Sequence, residues 1–314
     1  AWVDDMIGCG SVAAKKLELQ TLRKKFNITL IEEPSVYYGI QIERDRERRW
    51  LKLHQTDYLV NLLKNEGMYD SNPCYTPLDV NLKDAEQLKM PNDKRYEATT
   101  KLFQEQLGAV MWLLHNIPID QAVHFLARWS NCAGPEQLKW MKRMHRFLKG
   151  IIGHGIVFQA GDNFVLSGCF DSDLAGAASA GTKSCAGVVI KIGENGVLIN
   201  SSKLIRVVSD SSAQAETYAG VKAVKDVIWM RGTLEEVDLA QIGPTVLRGD
   251  NQTMGNQTEV SMNHERSRHY RIAQGFIRSA VEDGIVKIIH DRTDNLEADM
   301  NTKILGRVKF QKFF

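Results

Sequence analysis

Four carboxylates, far apart along the chain, fall where apolar runs end and helical spacing begins. Asp171 stands in Gly168-Cys-Phe-Asp-Ser-Asp173, at the end of a strand, and Glu216 lies in the first turn of a helix opening after Ser211-Ser212. Asp250 follows the run Thr245-Val-Leu-Arg248, with Asn251 and Gln252 starting the next helix; Asp299 lies inside a last helix, in Glu297-Ala-Asp-Met-Asn-Thr-Lys303. In an open α/β sheet, strand ends and the helices beside them make the functional crevice. Four acids meeting there repel one another unless divalent cations neutralise them. Hard oxygen ligands suit Mg²⁺ or Mn²⁺. Two such ions, about 4 Å apart, activate a water and stabilise the leaving oxygen of an in-line phosphodiester displacement. Singly, each acid has a structural reading: Asp250 as an N-cap, Glu216 as a charge suited to the helix dipole, Asp171 and Asp299 as surface charges. Their joint placement points to chemistry.

The elements that must position these acids follow from periodicity. An apolar strand broken by Asp4 and Asp5 opens the chain, and helical spacing runs from 11 to 26. Runs at 36–42 and 50–53 flank the charged tip Arg44-Asp-Arg-Glu-Arg-Arg49, a hairpin whose end is either solvated or set against phosphate. Helices are expected over 56–65, 96–115, 119–130 and 135–149, the last with Pro135 at its first turn and Gly150 past its end. That helix carries Lys139, Lys142, Arg143, Arg146 and Lys149 on one face, which reads equally as a phosphate track or a solvated surface. Beyond Gly150 come β-rich runs at 156–159, 164–170, 186–192 and 197–201. A helix over 213–231, a strand over 245–248, a helix over 268–281, a strand over 286–290 and a helix over 296–303 complete the chain. Three consecutive strands, then alternating helix and strand, give a mixed sheet covered by helices.

Composition bounds the rest. A chain of 314 residues, 43% hydrophobic and 25% charged, is globular and large enough for one big core or two to three smaller ones. A net charge of +2 leaves nucleic-acid binding to local basic faces. Five scattered cysteines with no C-x-x-C pair argue against a disulfide framework or zinc knuckle and for a reducing compartment. The longest apolar stretch, 107–114, is far short of the roughly 20 residues a membrane span needs. Acidic residues stand near the N-terminus where a secretory signal carries positive charge. Ala1 reads as mid-strand, as in a piece cut from a longer polypeptide.

Several segments resemble the C-terminal part of copia-type retrotransposon Pol polyproteins. The strand around Asp171, the Ser184-Cys-Ala-Gly-Val and Ile199-Asn-Ser-Ser-Lys203 stretches, Ser211-Ser-Ala-Gln-Ala-Glu216, Asp250-Asn-Gln and Ala298-Asp-Met-Asn-Thr-Lys303 are similar to that family's ribonuclease H segments. His264-Glu-Arg-Ser-Arg-His269 resembles the basic segment before its long helix. Upstream, Trp2-Val-Asp-Asp5 resembles the reverse-transcriptase palm motif. Tyr38-Gly-Ile-Gln-Ile42, Leu53-His-Gln-Thr-Asp-Tyr58, Gly67-Met68 and Thr76-Pro-Leu-Asp79 resemble the rest of the palm and the thumb entry. Leu107-Gly-Ala-Val-Met-Trp112 and Arg146-Phe-Leu-Lys-Gly150 are similar to the helices that lead to the nuclease. The pattern departs where the family has Trp at Leu174, Tyr at Thr217, Glu at Gln214 and His-Ile-Asp at His269-Tyr-Arg.

The resemblance implies an α/β (α+β) fold: the end of a palm over 1–55, a helical thumb/connection region over 56–165, and a ribonuclease H-like mixed five-stranded sheet with flanking helices over 166–314. It implies Asp171, Glu216, Asp250 and Asp299 as the metal-binding, catalytic quartet with two Mg²⁺ or Mn²⁺ ions, cutting the RNA strand of RNA–DNA hybrids. Arg266, Arg268, His269, Lys142, Arg143 and Arg146 are the candidate nucleic-acid contacts, and Asp4 and Asp5 a vestigial polymerase metal site. Polymerase activity is not expected of this fragment alone. The expected setting is a cytoplasmic particle or the nucleus, not a membrane. Two other readings are a non-catalytic scaffold binding another protein, and an accessory part of a polymerase completed by an upstream segment.

Overall fold

The computed structural model describes residues 6–82, 96–159, 164–174, 183–250 and 268–314. Asp4, Asp5, Asn251, Gln252 and Arg266 lie outside them, and so do the expectations placed on those residues. Residues 6–10, expected to continue an opening strand, form no regular element. Val12–Arg23 (α1) is capped by the Ser11 hydroxyl, which accepts from the Ala14 N–H, and buries none of its residues.

Val36–Tyr37 (β1), Ile40–Asp45 (β2) and Trp50–His54 (β3) make the expected antiparallel hairpin, with the charged tip between β2 and β3. At that tip Arg46 pairs with Glu33, and the Arg48 N–H donates to Asp45. Gly155–Gln159 (β4) pairs antiparallel with β3, His54 opposite Gly155. The run at 156–159 therefore extends the hairpin sheet.

The helical region consists of Thr56–Asn65 (α2), Glu97–Met111 (α3) with a 3₁₀ continuation over Trp112–His115, Asp120–Ala127 (α4) and Pro135–Gly150 (α5). Their apolar faces meet on Phe103, Trp129, Met141, Met144 and Phe147. Four residues from the far end of the chain, Met300, Ile304, Leu305 and Phe310, complete this core. The basic stripe on α5 is mostly engaged within the molecule. Arg143 reaches Thr76 and Asp79, Arg146 donates to the Asn72 carbonyl, Lys149 lies over the Tyr69 ring and Lys139 pairs with Glu136. Lys142 is exposed.

The second sheet is built from Leu166–Asp173 (β5), Cys185–Ile192 (β6), Gly196–Leu204 (β7), Thr245–Gly249 (β8) and Val286–His290 (β9), in the order β7-β6-β5-β8-β9. β7, β6 and β5 pair antiparallel in succession, whereas β8 joins β5 and β9 joins β8 in parallel. This is the mixed sheet that the order of runs predicts, with the five strands that the resemblance implies. Ser212–Glu236 (α6) and Arg268–Glu282 (α7) cover one face. Buried Ala215, Ala219 and Ala223 recur every fourth residue, and these small side chains let α6 lie close on β5 and β6.

β5 is the central strand, flanked by β6 and β8 and buried along nearly all its length. Alternation sends Phe170 and Ser172 toward α6, and Cys169 and Asp171 toward the other face. That second face is closed by a 3₁₀ turn, Glu297–Asn301, followed by a last helix, Arg307–Phe313 (α8). One helix over 296–303 was expected. The observed turn is short because both its sides are buried: Leu296 and Ala298 pack on Cys169 and Val189, while Met300 enters the helical core. It has no free face on which to continue as an amphipathic helix.

Gly187 permits this closure. It sits opposite Asp171 in the β5–β6 ladder, and a Cβ there would lie 2.5 Å from the Ala298 carbonyl oxygen and 2.8 Å from Thr302 Cγ2. Gly187→Ala is expected to push the 297–302 turn off the sheet and destabilise the chain by about 1–3 kcal/mol. Urea denaturation of the two proteins measures this directly.

Candidate metal-binding carboxylate site

Three of the four acids come together. Asp171 on β5, Glu216 on α6 and Asp250 just past β8 each bring a carboxylate oxygen within 4.8 Å of the others. Asp171 is fully buried, Glu216 is 6% exposed and Asp250 is half-buried. Asp171 lies two residues before the end of β5 rather than at its last residue. Glu216 falls just past the first turn of α6, because the helix opens at Ser212 with Ser211 capping it. The Ser211 hydroxyl accepts from the Gln214 N–H, and Gln214 Oε1 accepts from the Asp210 N–H. Gln214 thus ties the chain just before the cap to the first turn of α6, one residue short of a reciprocal capping box. Thr217, in place of the family's Tyr, donates to the Ala213 carbonyl within α6.

Each of the two buried acids is fixed through one oxygen and open at the other. Glu216 Oε1 accepts from the Ser172 N–H at 2.8 Å and from the Ser172 hydroxyl at 2.6 Å, while Oε2 has no partner. Asp171 Oδ2 accepts from the Thr302 hydroxyl and faces the Lys303 ammonium at 3.1 Å, while Oδ1 has none. Asp250 Oδ2 accepts from Thr293 at 3.2 Å. Buried polar atoms are almost always paired, so two unpartnered carboxylate oxygens on neighbouring buried acids are a place that could bind a cation. The oxygen-only donor set fits a hard divalent ion.

Asp299 is fully buried beside Asp171 but is not one of the three converging acids. Its Oδ1 lies 2.7 Å from the Lys303 ammonium, which also faces Asp171, and its Oδ2 pairs with Lys309 from α8. The structure therefore gathers a triad and sets the fourth acid behind Asp171, held by two lysines.

The electrostatics separate these acids. Burial raises Glu216 to about 8, with the Asp171 and Asp250 charges adding to it. Burial likewise raises Asp171 to about 7 against the pull of Lys303 and Thr302. Burial also works against ionised Asp299, but hydrogen bonds from Lys303 and Lys309 outweigh it and hold that carboxyl below its ordinary value.

Lys303, Thr302, Lys309 and Ser172 are the site residues that the sequence reading missed. Thr302 and Lys303 were in view within Ala298-Asp-Met-Asn-Thr-Lys303 without being given a role. Lys309 carried no signal, since its helix was not expected. Of the nucleic-acid candidates, Arg268 and His269 are exposed at the start of α7.

No family model matches the chain. Over 99% of its length it is 28% identical to the retrovirus-related Pol polyprotein from transposon TNT 1-94 of Nicotiana tabacum. Over the same share it is 27% identical to the one from transposon RE2 of Arabidopsis thaliana and 28% identical to the one from RE1. It spans only 23%, 21% and 21% of those polyproteins. An uncharacterized mitochondrial protein of Arabidopsis thaliana is 26% identical over 73% of this chain and 92% of its own length. Among solved structures, ribonuclease H1 of Halobacterium salinarum is 18% identical, matching 42% of this chain and 89% of its own with a TM-score of 0.31. A foamy viral protease-reverse transcriptase in complex with double-stranded DNA is 14% identical, matching 69% of this chain and 35% of its own with a TM-score of 0.40. Both likenesses are low, and the fold assignment rests on the strand order instead.

Glu216 makes a pH dependence measurable. Its folded-state pKa stands above its ordinary value, so the folded chain holds a proton that the unfolded chain releases. Metal-free protein in EDTA is expected to lose stability as pH rises from about 4.5 to about 8. Glu216→Gln should flatten that decline; urea midpoints for the two proteins at pH 5 and 8 compare them. From one end to the other, this chain is homologous to the retrovirus-related Pol polyproteins of copia-type transposons.

Proposed function

We propose that the chain is a metal-dependent ribonuclease H that hydrolyses the RNA strand of RNA–DNA hybrids, as the nuclease part of a retrotransposon Pol polyprotein. The observation that carries this reading is the convergence of Asp171, Glu216 and Asp250 with two unpartnered, buried carboxylate oxygens. Homology to Pol polyproteins along the whole chain supports it. In this reading residues 1–55 are the end of a reverse-transcriptase palm, 56–165 a thumb and connection region, and 166–314 the nuclease domain.

Asp171 Oδ1, Glu216 Oε2 and Asp250 would hold Mg²⁺ or Mn²⁺. The bound ion would supply the positive charge that makes a water nucleophilic and steadies the departing oxygen. The chain's own part is positioning. Ser172 fixes Glu216 through two hydrogen bonds, Thr302 and Lys303 fix Asp171 from behind, and Thr293 orients Asp250. The three carboxylates are thus held close to one another before any substrate arrives. Hybrid binding would rest on phosphates and 2′-hydroxyls, giving little sequence preference. Arg268, His269 and Lys142 are the exposed candidates for it, and Arg266 joins them from outside the described residues. Arg143 and Arg146 serve first to hold residues 72–79.

A non-catalytic scaffold is the competing reading, favoured by the two lysines that neutralise Asp299. Metal-dependent turnover separates the two. Asp250→Asn is expected to abolish Mg²⁺-dependent cleavage of a labelled RNA–DNA hybrid, a loss of at least about 100-fold, while the thermal midpoint moves by only a few degrees. Cleavage undiminished in that variant would remove the triad from the chemistry. A wild-type chain that cuts no hybrid and gains no thermal stability from Mg²⁺ would leave the scaffold standing.

A further inference from the structure

The cations that the chain itself supplies bear on how many metal ions this site takes. Two divalent ions that share Asp171 through separate oxygens need room on both of them. One oxygen is open: Oδ1 has no partner, and Asp171 brings a carboxylate oxygen within 4.8 Å of oxygens of Glu216 and Asp250. The other is filled. The Lys303 ammonium sits 3.1 Å from Asp171 Oδ2 and 2.7 Å from Asp299 Oδ1, bridging the two carboxylates. Lys309 takes the remaining oxygen of Asp299, and Thr302 donates to Asp171 Oδ2.

Charge leads to the same place. Once a bound cation has ionised all four carboxylates, the ammonium groups of Lys303 and Lys309 leave two negative charges, which one divalent ion balances. The lysines reach this spot from separate elements. Lys303 follows the 3₁₀ turn that lies over Gly187, and Lys309 projects from α8, anchored by Phe310 among Phe147 and Phe314. Both lysines are about 30% exposed, whereas the oxygens of Asp299 are fully buried, so the ammonium groups cap that acid from the solvent side.

We propose that the Lys303 ammonium is a resident cation between Asp171 and Asp299, standing where a second divalent ion would bind, so that the site takes a single Mg²⁺ or Mn²⁺ at Asp171, Glu216 and Asp250. This rests on the metal-binding reading above and replaces its two-ion expectation with one ion and one ammonium. Lys303 is then a positioning residue: it holds Asp171 and Asp299 in place and sets the ion count.

Mn²⁺ titration of the full chain without nucleic acid reads this out, with calorimetry giving the stoichiometry and electron paramagnetic resonance the ion–ion coupling. The wild type is expected to bind one Mn²⁺ with the signal of an isolated ion. Lys303→Ala should bind two and show a coupled pair, and Lys303→Arg should return to one. A coupled pair in the wild type overturns the proposal, and so does a single ion in Lys303→Ala, since the lysine would then not be what excludes the second. If Lys303→Ala does not fold by circular dichroism, Lys303→Gln takes its place under the same two outcomes. A wild type that binds no Mn²⁺ yet cleaves hybrid overturns the inference alone, whereas one that does neither overturns the metal site as well.

Discussion

Burying a carboxylate in the middle of a sheet is the constraint on which the rest of this molecule depends. Asp171 sits on the central strand, fully shielded from solvent, with two other acids close by. An isolated charge there costs several kcal/mol. Burial favours the neutral acids on one side, and ammonium groups offset the charge on the other. Glu216 and Asp171 are pushed upward toward neutrality, while Asp299 is kept ionised by its lysines. Opposite pressures on neighbouring acids are the usual mark of a site that handles protons or cations.

That electrostatic tension explains features that look unrelated in the sequence. Gly187 is needed because the turn bearing Asp299, Thr302 and Lys303 must lie directly on β6. The alanine ridge on α6 brings Glu216 near enough for Ser172 to grip it. A separate buried link, in which Asn200 on β7 donates to Asp120 on α4 and exchanges hydrogen bonds with Asn301, ties the helical region to the same turn. Burial raises Asp120 to about 6, so this join too carries a carboxylate under strain from desolvation.

Much of this was legible in the sequence, for physical reasons that differ by element. The sheet could be read because β5, β6 and β8 are short apolar runs between turn residues, and α5 because Pro135 and Gly150 bracket a clear periodicity. Asp171 and Asp250 could be read as converging because both stand near strand ends, whereas Asp299, expected with them, lies outside the triad on the buried turn. The 3₁₀ turn and α8 could not: the turn is buried on two sides, which erases its periodicity, and α8 is only seven residues long. The lysines followed from neither motif nor period. Their role depends on where the turn sits, and that depends on a glycine in a strand more than a hundred residues earlier. The basic stripe on α5 misled for a related reason, since sequence shows that a face is charged and not what already lies against it.

The closing helix has a consequence for how the chain can be divided. Its Phe310 enters the helical core beside Phe147, while the lysine next to it, Lys309, holds an acid packed on the five-stranded sheet. Sheet and bundle therefore share their last residues. A segment cut out at residue 166 would keep every carboxylate yet strip Met300, Ile304, Leu305 and Phe310 of the apolar surface that seats them. The acids would survive such an excision, but the scaffold that presses the lysines onto them would not.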